Sequence, residues 1–387
     1  MSRTQQLVAV RWGIPLAIIV ILLAMCLRLF AGPYRPIEPL PPGIVDMHCH
    51  LAGIGAGNSG CFVSARLRES WRFKVYLRAF GVSQSELEEK GDGVIADRIS
   101  ALLAQSTFVK KAVVLALDGV ANKDGTFDRN RTEIYVPNEF VFDAVTRHRN
   151  LVFGASVNPY RSDALKRLEW AKEHGAVLVK WIPSIMEIDP ADPCLIPFYR
   201  KLVDLNLPLL SHAGKERSFS SAADDFCDPD KLRLPLSLGV KVVAPHIAST
   251  GKYHGERSSD RLARLMSEYP NLYSDISSLT QVNKHFYLKE ALTRPEFKGR
   301  LVYGSDFPLI NTVLVSSWYY CLSLSPKQLL AISEMKNPWD ADVQLKQNLG
   351  TPTDIFVRSE QLLALDAAKS ELPKKQMEPG RDRGHGD

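Results

Sequence analysis

Eight short apolar runs, starting near positions 44, 112, 151, 176, 208, 240, 272 and 301, constrain this chain more than any other feature. They are continuous rather than alternating, the pattern of strands buried on both faces. The intervals between them carry apolar residues at helical spacing. Val94, Ile95, Ile99, Leu102 and Leu103 mark one such helix, and a segment capped by Ser162 and stopped at Gly175 marks another. Strand and helix in alternation argue a parallel sheet. Eight repeats predict a closed (β/α)8 barrel, the TIM-barrel architecture, over residues 44–368. The rival is a doubly wound open sheet. It normally needs fewer strands, and its dinucleotide site needs a G-x-G-x-x-G opening the first helix, which is absent.

The runs end on chemistry. His48 and His50, Lys180, His212, His246, Asp275 and Asp306 each stand where a strand finishes, and the C-terminal ends of barrel strands form the active face. Only nine histidines occur in the chain, and four of them fall at these ends. In G-I-V-D-M-H-C-H-L (43–51), His48 and His50 share one strand face while Cys49 turns away. Two neutral imidazoles so placed grip a divalent ion. An isolated H-x-H reads equally well as two ordinary histidines at a loop mouth, and it is the other strand ends that favour a metal site. Asp46 is expected on the same face one layer deeper, in a buried hydrogen-bonding role. Asp275 reads as an acceptor that structures the pocket rather than as a ligand. Asp306, before Phe307-Pro308, has a turn-forming alternative. Lys180 shares a face with Leu178, so its amine is expected in the barrel mouth.

The ends of the chain differ from its middle. Trp12 to Leu27 is free of charge, flanked by Arg11 and Arg28. Its sixteen residues, at about 1.5 Å each, fall slightly short of a roughly 30 Å hydrocarbon core, and snorkelling arginines close the gap. No small-x-small cleavage site follows, so the reading is an uncleaved single-pass anchor over 12–31. Residues 1–11 are then cytoplasmic and the catalytic domain lies outside the cytoplasm at the cell membrane. A Pro-rich linker (32–43) enters the first strand at its N-terminal end, which would turn the catalytic face away from the bilayer. Ala52 to Val82 is read as a lid or pocket wall, and 325–335 and 353–368 as a C-terminal helical extension. Lys369 to Asp387 is read as a disordered tail. The net charge of +5 is spread along the chain without a basic stripe, which argues against nucleic acid. Six cysteines without a C-x-x-C exclude a zinc finger.

The motifs V-D-M-H-C-H (45–50), P-L-L-S-H-A-G (208–214), V-V-A-P-H (242–246) and V-Y-G-S-D-F-P (302–308) together resemble the amidohydrolase superfamily, and within it the amidohydrolase-related branch of metal-dependent barrel hydrolases. The resemblance runs from about Ile44 to about Leu363. It implies that His48, His50, His212 and Asp306 are metal ligands and that Asp306 also shuttles a proton. It casts His246 as a catalytic histidine that polarises the substrate carbonyl or ligates a second metal. The implied cofactor is Zn2+ or another divalent ion, one per site. A second ion enters if Lys180 is carboxylated and bridges; otherwise Lys180 pairs with a pocket acid or a substrate carboxylate. A divalent ion lowers the pKa of bound water from about 15.7 towards 7, and a carboxylate beside it takes the proton.

The expectation is therefore a metal-dependent hydrolase of a small ester, lactone or amide, with a lipid bilayer as the partner of its N-terminal helix and homo-oligomerisation left open. The rival within enzymes is a non-oxidative decarboxylase of a small unsaturated or aromatic acid. The rival of another class is a membrane-anchored barrel that binds without catalysis.

Overall fold

The protein is described from a computed structural model, over residues 43–216, 219 and 223–365, with 39–40 and the positions 15–16, 18–23 and 26. Eight parallel strands form one sheet in sequence order: β1 (Ile44–His50), β2 (Val109–Leu115), β3 (Leu151–Ala155), β4 (Leu178–Trp181), β5 (Leu209–Ser211), β6 (Val242–Ala244), β7 (Leu272–Asp275) and β8 (Leu301–Val302). All eight apolar runs become these strands. The eighth returns to the first: Met47 N–H donates to Tyr303 O at 3.3 Å, Asp306 N–H to His48 O at 2.8 Å, and His50 N–H to Phe307 O at 2.8 Å. The sheet is thereby a nearly closed barrel.

Side chains alternate across it. Val113 and Leu115 of β2, Leu178 of β4, Leu210 of β5, Val243 of β6 and Val302 of β8 fill the interior with Val45 and Met47 of β1, and Leu362, Leu363 and Leu365 join the same cluster. Their strand neighbours, among them Ala112, Val114, Leu209, Val242 and Ala244, pack outward on helices such as Gly93–Gln105, Asn138–Arg147 and Ser258–Glu268. Those helices form where the sequence repeats apolar residues every three or four positions.

One irregularity positions the site. Between Asp46 and Cys49, β1 advances three residues while β2 advances two, from Ala112 to Val114. This bulge flips the alternation. Val45 and Met47 face the interior, and so, one residue later, do His48 and His50. The expected placement of Asp46 on the histidine face is therefore corrected. Asp46 points outward, accepting from Trp339 Nε1 at 2.8 Å, Ser305 N at 2.9 Å, Ser305 Oγ at 2.5 Å and His48 N at 3.0 Å. Its burial and hydrogen bonding are as expected. Burial pushes its carboxyl up to about 6 against those donors.

The segment after β1 is more structured than a loop. Helices Ala65–Arg68, Trp71–Phe80 and Gln84–Lys90 follow in close succession, each begun by a serine side chain that accepts a backbone N–H. A short antiparallel pair, Phe62–Val63 with Ile134–Tyr135, ties this insertion to the loop after β2. At the C-terminal side, Pro326–Ser333 starts on a Ser325–Gln328 capping box, and Pro338–Asn348 and Thr353–Leu362 follow. Among the described residues no helix is long and apolar enough to cross a membrane. The expected anchor (12–31) and linker (32–43) fall largely outside the described residues, and the expected tail (369–387) wholly so. Among the described residues the cysteines are unpaired.

Candidate functional site

His48 and His50 end β1, Lys180 lies in β4, His212 follows β5, His246 lies two residues beyond β6, Asp275 ends β7 and Asp306 follows β8. All except Asp275 line one cavity of about 190 Å³ at the C-terminal face of the barrel. Two of these residues sit on backbone that L-residues avoid: φ is +44° at His246 and +61° at Asp306. Such strain persists where surrounding structure holds it and clusters at functional sites. The neighbour Gly304 is required for space, because a Cβ there would stand 2.9 Å from His48 Cβ and 3.3 Å from Asp275 Cγ.

Hydrogen bonds assign the protons. Asp275 Oδ2 lies 2.8 Å from His48 Nδ1, and Asp275 Oδ1 accepts from His246 N at 2.9 Å, Ser277 N at 3.0 Å and Ser277 Oγ at 2.5 Å. A carboxylate only accepts, so the His48 proton sits on Nδ1 and its Nε2 lone pair faces the cavity. There it meets His50 Nε2 at 3.2 Å and Asp306 Oδ1 at 3.6 Å, and His50 Nε2 lies 3.2 Å from Asp306 Oδ1. The second Asp306 oxygen accepts from Ser278 Oγ at 2.5 Å, and Ser278 is held in turn by Gln281 Nε2 at 2.9 Å. A single proton bridges two of the three converging atoms; a cation satisfies all of them. The donor set of two imidazoles and a carboxylate suits a divalent metal.

His212 and His246 form a second pair, His246 Nε2 standing 3.3 Å from His212 Nδ1. His246 Nδ1 is 3.0 Å from Ser277 Oγ, whose own proton goes to Asp275. Ser277 therefore accepts from His246, placing the proton on Nδ1. The expected carbonyl-polarising role would need a proton on Nε2; this arrangement presents a lone pair there instead. His212 stands outside the tight His48–His50–Asp306 group. Its Nε2 is buried without a hydrogen bond among the described residues and lies 3.5 Å from Glu216 Oε2. An orphaned imidazole nitrogen at a cavity wall fits a further ligand. Lys180 reaches the cluster, its Nζ 3.3 Å from His48 Nε2.

The charge states follow from burial. Desolvation, then the Lys180 amine, holds His48 down at about 4. Burial, then Lys284 and His212, keeps His246 well below its ordinary range, and burial also lowers His212. Burial by itself would raise Asp306, but His48 and His50 outweigh it and hold the carboxyl well below its usual range. The site thus presents His48, His212 and His246 as neutral imidazoles and Asp306 as an ionised carboxylate, the forms that bind metal.

Sequence reasoning missed Glu216, Ser277, Ser278, Gln281 and Lys284. Glu216, Ser277, Ser278 and Gln281 lie in loops past a strand and Lys284 ends the short turn Val282–Lys284, where spacing carries no periodic signal.

Fold and site together define a (β/α)8 barrel with a cation-competent His/Asp cluster at its mouth. The family model described as amidohydrolase, of the amidohydrolase-2 type, matches residues 45–319, and the chain belongs to that family. No curated protein matches it. Among solved structures it is similar to an uncharacterized TIM-barrel protein from Bordetella bronchiseptica (15% identity over 80% of this chain and 100% of that one, TM-score 0.45). It is also similar to a probable 2-pyrone-4,6-dicarboxylic acid hydrolase from Acinetobacter baumannii (16%, 85% and 98%, 0.41). A third is 5-carboxyvanillate decarboxylase from Sphingomonas paucimobilis (10%, 85% and 98%, 0.45).

Proposed function

We propose that the protein is a metal-dependent hydrolase of an ester, lactone or amide. The observation that carries this reading is the convergence of His48 Nε2, His50 Nε2 and Asp306 Oδ1 within 3.6 Å of one another, with Asp275 fixing the tautomer of His48. These three residues would hold the ion, joined by His212 through its orphaned nitrogen. A divalent ion there supplies hydroxide at neutral pH and polarises a carbonyl. Asp306, anchored by Ser278 and kept ionised, takes the proton of the attacking water and passes it to the leaving group. His246 offers a lone pair beside His212, as a further ligand or a proton acceptor. Carboxylated, Lys180 would add an oxygen donor for a second ion; as an amine it offers N–H donors to a substrate oxygen.

The second reading is a non-oxidative decarboxylase, favoured by the cations Lys180, Lys215 and Lys284 in the same cavity, which suit an acid. Mass balance separates the two. A hydrolase incorporates one water per turnover and releases no carbon dioxide; release of carbon dioxide without uptake of water would overturn the first reading.

The same proposal attaches the enzyme to a cell membrane through residues 12–31. Leu16, Ile18, Ile19, Val20, Ile21, Leu22 and Leu23, described residues of that run, are all exposed. Fractionation of the full chain tests this: the protein should sediment with membranes and resist extraction by high salt.

A further inference from the structure

The cavity is lopsided in a way that metal chemistry does not require. Its wall on the side of the insertion after β1 is made of Val63, Leu67, Phe73, Leu77, Phe80 and Ile95, and Leu117 and Ile134 continue it past β2. These six residues, five from the insertion and Ile95 from the barrel helix Gly93–Gln105, are buried within the fold yet border the cavity. On the side of β5 to β7 the lining is polar apart from Phe219: Lys215, Glu216, Gln281, Asn283 and Lys284. The ligand cluster stands between the two.

Lys284 sharpens the picture. It lies at the end of the turn Val282–Lys284 after β7, is only 8% exposed, and borders the cavity. Among the described residues its amine makes no hydrogen bond and no ion pair in contact; burial lowers it, Asp306, Glu216 and Asp275 act on it through space, and it acts in turn on His246 and His212. The carboxylates that act on it, Asp306 and Glu216 first, do so without touching it, so this buried amine on the cavity wall is left able to take an anion in direct contact.

Resting on the hydrolase reading above, we propose that the substrate is an amphipathic anion. Its carboxylate pairs with Lys284 on the β5–β7 side, its reacting carbonyl lies at the His48–His50–Asp306 cluster, and an extended apolar body runs along the wall built by residues 63–95. The insertion exists to build that wall. Three short helices present apolar side chains to a space that a small polar substrate would leave in contact with water.

The test is a calorimetric titration of the full-length, zinc-loaded protein with butyrate, hexanoate and octanoate, and with octanamide. Affinity should rise about tenfold for every two methylenes, and octanoate should bind at least tenfold more tightly than octanamide. Lys284→Met should reduce that preference to less than twofold and leave the chain-length series intact. Leu77→Asn should flatten the series and leave butyrate unchanged. A flat series in the wild type overturns the apolar wall and needs no variant. A preference for octanoate that persists in Lys284→Met overturns the anion site and assigns the carboxylate to the zinc. Because binding is read without turnover, failure of the hydrolase reading leaves these titrations standing. Flat titrations sink the substrate class whatever bond the enzyme breaks.

Discussion

Asp275 accepts the Nδ1 proton of His48 at 2.8 Å, and that bond decides which nitrogen of the imidazole looks into the cavity. Replacing Asp275 by Asn puts an amide where the carboxylate stood. The amide can donate to Nδ1, which moves the His48 proton to Nε2 and aims it at His50 and Asp306. Loss of such a carboxylate partner costs about 10- to 100-fold in metal affinity. Competition with a chromogenic chelator reads this directly. An unchanged affinity in Asp275→Asn would show that His48 is not oriented by this bond.

The buried histidines set the acid response of the metal-free protein. His48 is held at about 4, below its ordinary 6.5. As pH falls through 6.5 the unfolded chain takes up this proton, while the folded chain does so only near 4. The stability contributed by neutral His48 is therefore full above 6.5 and lost as pH falls towards 4. His212 and His246 act in the same sense. Asp46, raised from 3.8 to about 6, acts in the opposite sense between those values, and Asp342, also raised by burial, acts with it, two carboxyls against three imidazoles. Urea midpoints should decline between pH 6.5 and 4, and His48→Gln should make the decline shallower. A midpoint independent of pH in that window would contradict the buried, neutral assignment.

Gly304 leaves room for His48. An alanine there would place its Cβ 2.9 Å from His48 Cβ, and neither strand backbone gives way cheaply. Gly304→Ala should cost about 1–3 kcal/mol and weaken metal binding together with the melting temperature. Full stability with unaltered metal binding would show that β8 does not press on β1 here.

Behind Gly304, the fully buried Lys346 donates to Asp342 Oδ2 at 2.7 Å and to Gly304 O at 3.0 Å. Tyr303 Oη also donates to Asp342 at 3.0 Å. Lys346→Met strands a buried carboxylate and should cost about 3–5 kcal/mol. Adding Asp342→Leu should recover a substantial part of that loss, since the uncompensated charge is then gone. Additive losses in the double variant would mean that the pair does not act as a unit.

That helix, Pro338–Asn348, also shows why some of the fold escaped the sequence. It buries Asp340, Asp342, Gln344, Lys346 and Gln347 beside Trp339 and Val343, so no apolar stripe marks it. The three helices after β1 run to ten residues at most, too short for a 3.6-residue period to stand out, and the segment reads as a loop. The barrel strands were legible for the opposite reason: each is a continuous apolar run, and most of them close on His, Lys or Asp. The ligand candidates were legible with them, because strand ends converge on one face. The bulge in β1 was not, since Met47 and Cys49 carry no turn chemistry, and it misplaced Asp46. Nor was the left-handed backbone at His246 and Asp306, where neither Gly nor Asn signals it.

Metal content of the purified full-length protein tests the central claim most directly. Elemental analysis of the wild type should find divalent metal at one ion per chain or more, and His50→Ala and Asp306→Asn should lose it while remaining folded by circular dichroism. A folded wild type that neither retains nor takes up a stoichiometric divalent ion after exposure to zinc or manganese would contradict the account.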